Sequence, residues 1–412
     1  MMPLRWSRSA PLTIAALAAW LACPSFAAAQ VAVRGDTVYT MAGDPIRDGI
    51  VIVDANGRIA EVGPAASVRV PRGYRTLRAR VVTPGLIDAH TVVGLAGYLN
   101  QPHDQMQLER SAPIQPELRA TDAYNPRETL VEWLRSHGIT TLHTGHAPGA
   151  LVSGQTMIVK TRGETVEDAL VTPAAMVAVT FGEDGLVQGD KAPGTRAKAV
   201  ALLRTELLKA RDYAVRQAGP EDKRPARDLR LEMFGRVLDR ELPLLVTAHR
   251  ATDIGNALRV ADEFGIRIVL DGASESYLMA DRIKAAGVPV ILHPTMWRAV
   301  GEAENLSMET ASRLRDAGVP FALQSGYESY VPKTRVVLFE AAIAAARGLT
   351  MEQALGSITI DAARILGIDQ RVGSLEPGKD GDLALFDGDP FEYTSHVTGV
   401  VIDGHVVSES PM

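Results

Sequence analysis

The sequence predicts an α/β fold: a (β/α)8 barrel of the TIM type, carrying a small composite β-sandwich built from both ends of the chain. Three observations lead there. Short apolar runs alternate with amphipathic helical patterns through the middle of the chain, short alternating strands with a hairpin signal fill the N-terminal part, and similar strands return near the C-terminus. The length of 412 residues suits one large barrel with an appendage, or two to three smaller domains. Charged residues make up 22% and apolar ones 46%, which excludes disorder, collagen-like repeats and coiled coil.

Residues 1–29 read as a signal peptide, with Arg5 and Arg8 as its positive region and Ala27-Ala28-Ala29 as its cleavage signature. The apolar stretch between them, residues 12–22, is too short to span a bilayer, which takes about 20 residues. An exported, periplasmic protein with no membrane span is expected. The only cysteine, Cys23, leaves with the signal, so disulfides and thiolate metal sites are excluded. The chain has 43 Lys+Arg against 49 Asp+Glu and no long basic run, which removes the electrostatic basis for nucleic-acid binding.

After the signal come two β-rich runs, residues 49–53 and 58–62, joined by Asp54-Ala55-Asn56-Gly57, and Asn-Gly is a strong hairpin signal. At the far end, residues 383–386 and 397–407 are again strand-like. Neither end can bury a core alone, so residues 30–82 and 372–412 are expected to form one sandwich. Residues 83–371 then make the barrel. Its eight expected parallel strands are Val81-Val82 and residues 140–143, 156–159, 175–179, 244–246, 267–270, 288–292 and 321–323. Helical patterns at 195–218, 253–264 and 276–286 separate several of them. A doubly wound open sheet is the alternative, but no glycine fingerprint follows the first strand.

Two motifs carry a resemblance. Pro84-Gly85-Leu86-Ile87-Asp88-Ala89-His90 stands at the start of the barrel, and Gly373-Ser374-Leu375-Glu376-Pro377-Gly378-Lys379-Asp380-Gly381-Asp382-Leu383 near its end. With the helical segment 357–368 between them, they resemble the amidohydrolase superfamily, specifically its imidazolonepropionase-like branch. The resemblance implies a barrel with one or two divalent metals at its C-terminal mouth, where a metal activates water and polarises a carbonyl. It also implies ligands: a His-x-His pair after strand 1, a histidine after each of strands 5 and 6, and an aspartate after strand 8 that doubles as base. Mapped onto those positions, this sequence has His90 with Val92, then Thr247, Gly272 and Gly326. Only His90 is retained as a metal ligand. Valine and glycine donate nothing, and zinc rarely makes do with fewer than three protein donors.

Other residues are candidates for the mouth. His143 and His146 after strand 2, His249 after strand 5 and His293 after strand 7 can rebuild a displaced site or simply bond backbone at strand ends. Lys160 after strand 3 is placed to imitate a bridging carboxylated lysine. Arg250, near Asp253 at the start of a helix, is placed to orient an anionic group. Gln155, Glu275, Gln324 and Tyr327 are polar residues expected near the same mouth, whereas His103, His137, His396 and His405 read as structural.

Two functions are therefore weighed. The first is an exported amidohydrolase-like protein with an eroded metal site and no cofactor, acting as a binding or assembly partner of an active paralogue. The second is an active hydrolase of C–N bonds in cyclic amides or small peptides, with zinc or another divalent metal held by a rearranged site around His90, His146 and His293. A receptor for a small molecule at the mouth is a weaker third. Expected partners are a small-molecule ligand there and further subunits, as a homo-oligomer or a hetero-oligomer with the paralogue.

Overall fold

The computed structural model describes residues 30–186, 193–328 and 335–409; the segment read as a signal peptide lies outside them. Four strands open the described chain: β1 (Val31–Val38), β2 (Ile46–Val53), β3 (Ile59–Pro64) and β4 (Arg75–Pro84). Barrel elements follow as β5 (Leu86–Thr91), α1 (Thr129–Ser136), β6 (Ile139–Gly145), β7 (Val152–Lys160), α2 (Val166–Ala169), β8 (Leu170–Thr172) and β9 (Val177–Thr180). Next are α3 (Arg196–Gln217), α4 (Leu229–Leu238), β10 (Leu244–Thr247), α5 (Ala251–Phe264), β11 (Ile268–Gly272), α6 (Ala280–Ala286), β12 (Val290–Leu292), α7 (Thr310–Ala317) and β13 (Phe321–Leu323). Helices α8 (Val337–Ala346), α9 (Met351–Ser357) and α10 (Ile360–Leu366) lead to the closing strands β14 (Leu383–Phe386), β15 (Val397–Ile402) and β16 (His405–Glu409).

Strands from both termini share one seven-stranded sheet, in the order β16-β15-β14-β4-β1-β2-β3. Val51, Val53, Ile59, Leu383, Leu385 and Val401 come from opposite ends of that order, yet they share one apolar cluster. The sheet thus folds over on itself. Backbone bonds from Ile59 N to Lys379 O (2.9 Å) and from Gly378 N to Ile59 O (2.8 Å) tie β3 to the segment before β14. Neither half could bury those side chains alone.

The second sheet runs β5-β6-β7-β9-β10-β11-β12-β13, with β8 attached to β7. It closes nearly into a barrel through a bridge between Thr91 and Gly326 and a bond from Gly326 N to His90 O (3.2 Å). Its interior is filled by Ile87, Ala89, Ile158, Met176, Leu245 and Val269, with Ile291 and Ala322 completing the ring. Helix α10 stops the lower end with Ala362, Ala363 and Leu366.

The structure departs from the sequence reading in two places. Val81 and Val82 belong to β4 of the terminal sheet, where they pair with Phe386 and Leu385, and the first barrel strand is the Leu86–Thr91 segment itself. The chain passes from one sheet to the other within Pro84-Gly85, where Gly85 N donates to Asp382 O (2.9 Å). The third barrel strand, β7, runs antiparallel to both neighbours. Its cause is the link between Gly145 and Val152. A parallel crossover needs a dozen or more residues, and this link is far shorter, so only a hairpin can form.

Candidate active site

Strand periodicity builds the mouth. Leu245, Val269 and Ala322 face the barrel interior, so the residues two positions on, Thr247, Asp271 and Gln324, face it one layer higher. There they meet His90 at the end of β5. His90 Nδ1 donates to Asp271 Oδ1 (2.9 Å), Gln324 Nε2 donates to the same oxygen (2.9 Å), and the Thr247 hydroxyl donates to Asp271 Oδ2 (2.6 Å). Both members of the His90–Asp271 pair are buried.

Electrostatics follow from these bonds. Burial pushes the Asp271 carboxyl up, but His90, Thr247 and Gln324 together bring it down to about 2. Burial pulls the His90 imidazole down, and Asp271 and Asp88 outweigh it, so its pKa is raised. Asp88 itself is driven by burial to about 7, although Ser325 N donates to it (2.9 Å). His90 Nε2 and Asp88 Oδ2 are buried without a hydrogen-bond partner.

The other candidate histidines do not join this cluster. His143 lies 5.6 Å from the His90 ring, but its Nδ1 donates to Ala89 O (2.6 Å) and its Nε2 accepts from the Thr156 hydroxyl (2.6 Å). Burial, with the neighbouring His90, lowers it to about 3. His293 Nδ1 donates to Pro294 O (2.8 Å), and burial lowers this ring to about 4. His146 is buried against Gly154 with neither ring nitrogen partnered. His249 bonds the Ser274 hydroxyl (2.9 Å) and packs edge-on against Trp297 at 5.1 Å. Among the described residues, no three His, Cys, Asp or Glu side chains are grouped so as to hold a metal ion.

Two expected mouth residues lie elsewhere. Because β7 runs antiparallel, its last residue, Lys160, pairs with Thr141 at the start of β6, at the floor of the barrel. There Lys160 forms a buried ion pair with Asp382 and further pairs with Asp380 (3.1 Å) and Asp403 (3.4 Å). Burial pulls its ammonium down, and those three carboxylates more than restore it. Arg250 reaches outward to Glu304 (2.8 Å), while Asp253 is held by Arg196 (2.9 Å). Of the polar residues expected nearby, Gln324 and Tyr327 line the mouth, whereas Gln155 bonds Pro116 O (3.0 Å) and Glu275 caps the Ala251 amide (2.6 Å).

Two of the positions to which the resemblance assigns ligands, Gly272 and Gly326, are closed to side chains. Gly272 has φ +71°, and a Cβ there would lie 2.5 Å from His249 Cε1. Gly326 has φ +70°, and its Cβ would lie 2.7 Å from Pro294 Cγ. Such backbone favours glycine alone. Above the His90–Asp271 pair lies a cavity of about 20 Å³, room for a single water. It opens toward a vestibule of about 610 Å³, and Pro148, His249, Trp297 and Tyr327 line both spaces. Asp271 escaped the sequence reading, although counting by twos from Val269 finds it. Trp297, Glu183 and Arg110 of the vestibule come from loops after different strands, and no local signal marks them.

Comparison with known proteins agrees with this architecture. Residues 81–407 match the model of the amidohydrolase family, and the chain belongs to that family. Its relatives place it on the imidazolonepropionase-like branch: an imidazolonepropionase from Rhizorhabdus wittichii is 29% identical over 390 residues, covering 86% of this chain and 92% of the relative. A solved amidohydrolase from Thermotoga maritima superposes with a TM-score of 0.86 at 30% identity, covering 92% of this chain and all of that one. A Xaa-Pro dipeptidase with bound methionine, at TM-score 0.59 and 16% identity, shares the fold alone. The family and these relatives are those of hydrolases.

Proposed function

We propose that this chain uses the amidohydrolase barrel as a binding scaffold rather than as a metal-dependent hydrolase, and that it takes a small molecule at the barrel mouth. One observation carries the reading. The only imidazole at a family ligand position, His90, and the hydroxyl at another, Thr247, are both turned onto Asp271. A metal there would need these groups free, plus donors from positions where Gly272 and Gly326 offer none. The donor set does not fit the metal of the family. A rearranged centre would need His90, His146 and His293 to converge, and among the described residues no three His, Cys, Asp or Glu side chains are grouped so as to hold a metal ion.

The N-terminal 29 residues support export to the periplasm, and no helix among the described residues is long and apolar enough to cross a membrane. In that compartment the protein works beside an active paralogue or as its own oligomer. The test is metal analysis of exported protein purified without chelator, paired with assays on cyclic amides and dipeptides. The reading expects well under one zinc per chain and no turnover, and stoichiometric zinc with C–N hydrolysis would sink it.

A further inference from the structure

A second cavity lies at the opposite end of the barrel from the mouth. It has a volume of about 470 Å³ and sits beneath the starts of β10, β11 and β12, between the C-terminal ends of α5 and α6 and the stopper helix α10. It shares no lining residue with the mouth or its vestibule. Small-molecule sites run from roughly 300 to 1,000 Å³, so the space is of the right size for one. Much of its wall is apolar, with Pro243, Ile266, Val288 and Ile365 contributing.

Two guanidiniums stand on that wall, Arg240 and Arg267. They are held reciprocally. Arg240 Nη1 donates to Gly265 O (2.8 Å) in the turn before β11, and Arg267 Nη2 donates to Glu241 O (3.0 Å) in the turn before β10. A guanidinium has five N–H donors, so both heads are fixed in place with donors to spare. Neither forms an ion pair among the described residues. Arg240 also occupies a position that its turn does not favour. Helices α5, α6, α7 and α10 each end on a left-handed glycine, Gly265, Gly287, Gly318 and Gly367. In the turn after α4 the left-handed residue is Arg240, at φ +61°. A long side chain pays a steric penalty there that glycine avoids, so the turn itself gives no reason for arginine.

Charge and shape define what the cavity would hold. Asp262 lies on the same wall, and two cations against one carboxylate leave a single net positive charge. The ends of α5 and α6, at Gly265 and Gly287, add the partial negative charge of helix C-termini. Both features disfavour a phosphate monoester, which carries nearly two negative charges. A carboxylate matches the net charge and the planar fork of a guanidinium, and the apolar wall calls for an apolar body behind it. We propose that this cavity is a second ligand site, for a carboxylate on an apolar body. The head lies between Arg240 and Arg267, and the body runs along Ile266, Val288 and Ile365. This site is independent of the mouth and stands whether or not the mouth binds a ligand.

Octanoate, octan-1-ol, octylamine and octyl phosphate share one chain and differ in the head offered to the arginines. Each is titrated calorimetrically into the purified protein. Octanoate should bind saturably, about tenfold or more tightly than octanol, with octylamine and octyl phosphate both weaker than octanoate. Arg240→Gly and Arg267→Gln should each weaken octanoate about tenfold, the worth of a charge-assisted hydrogen bond. Glycine suits the left-handed turn, so Arg240→Gly should keep the thermal unfolding of the wild type and report on binding alone. Octanoate binding that neither variant alters would belong elsewhere, as at the mouth, and would overturn this site while leaving the mouth reading untouched. Equal affinity for octanoate and octanol would overturn the role of the arginines, and tighter binding of octyl phosphate would overturn the choice of a carboxylate. No saturable octanoate binding would overturn the proposal outright.

Discussion

Two buried polar clusters sit at opposite ends of the same barrel strands, and they differ in what they join. At the floor, Lys160 of β7 meets Asp380 and Asp382 of the motif before β14, and Arg58 and Arg371 (2.9 Å) also reach Asp380. At the mouth, His90 and Asp271 face each other within one sheet, and their remaining bonds go to neighbouring strands. The floor cluster welds the barrel to the terminal sheet. A family motif can therefore stand complete for reasons of architecture: Asp380 and Asp382 are needed where two sheets meet, whatever happens at the other end of the strands. An intact signature near residues 373–383 speaks for the joint and not for the chemistry.

Breaking the joint should have the largest effect. A chain ending at Asp380 lacks β14–β16 and exposes Val31, Val53 and Ile59 of the shared apolar cluster. It should be recovered as aggregate, and a soluble product that unfolds cooperatively would show that the closing strands are an appendage. Lys160→Met is a milder cut at the same place. It leaves Asp380 and Asp382 buried beside an apolar chain, and removal of one partner from a buried ion pair typically costs about 3–5 kcal/mol. Urea unfolding reads this directly, and a loss below about 1 kcal/mol would mean that Arg58 and Arg371 carry the joint alone.

The mouth should respond to acid. His293 is buried and neutral, with its pKa lowered to about 4, so between pH 6.5 and 4 the unfolded chain binds a proton that the folded one refuses. Stability contributed by the neutral ring is then full above pH 6.5 and falls as the pH drops through that window. Comparing wild type with His293→Asn across it should reveal up to about 3 kcal/mol of pH-dependent difference. A difference that stays flat with pH would place the His293 ring in water.

A smaller effect sharpens the account of the blocked ligand position. Gly272→Ala meets a strained backbone and the His249 ring together, and should cost about 1–3 kcal/mol. In a double-mutant cycle with His249→Ala the two costs should fall short of additive, because the second change empties the space the first one needs. Strict additivity would show that the backbone angle alone excludes a side chain.

Much of this architecture was legible in the sequence. Short apolar runs between amphipathic helices gave the barrel, and two weak β-rich ends could only be stable together. The direction of β7 was also there to be read, in the helix-free link between Gly145 and Val152, and it relocates Lys160 from mouth to floor. The site was less legible because motif positions and strand phase disagree. The resemblance points to Gly272 and Gly326, while counting by twos from the inward Val269 and Ala322 points to Asp271 and Gln324. His143 looks like a free donor until Ala89 O and the Thr156 hydroxyl engage both of its ring nitrogens. The vestibule gathers side chains from loops after several strands, and such convergence leaves no trace in local spacing.

The central claim is that Asp271, and not a metal ion, is what His90 holds at the mouth. Anomalous diffraction at the zinc edge, on crystals of protein purified from zinc-supplemented cells, addresses it most directly. The account predicts no peak within the 2.0–2.2 Å or so of a His90 nitrogen that coordination requires, and a His90–Asp271 hydrogen bond in its place. A fully occupied zinc bound by His90 with two further protein donors would contradict it.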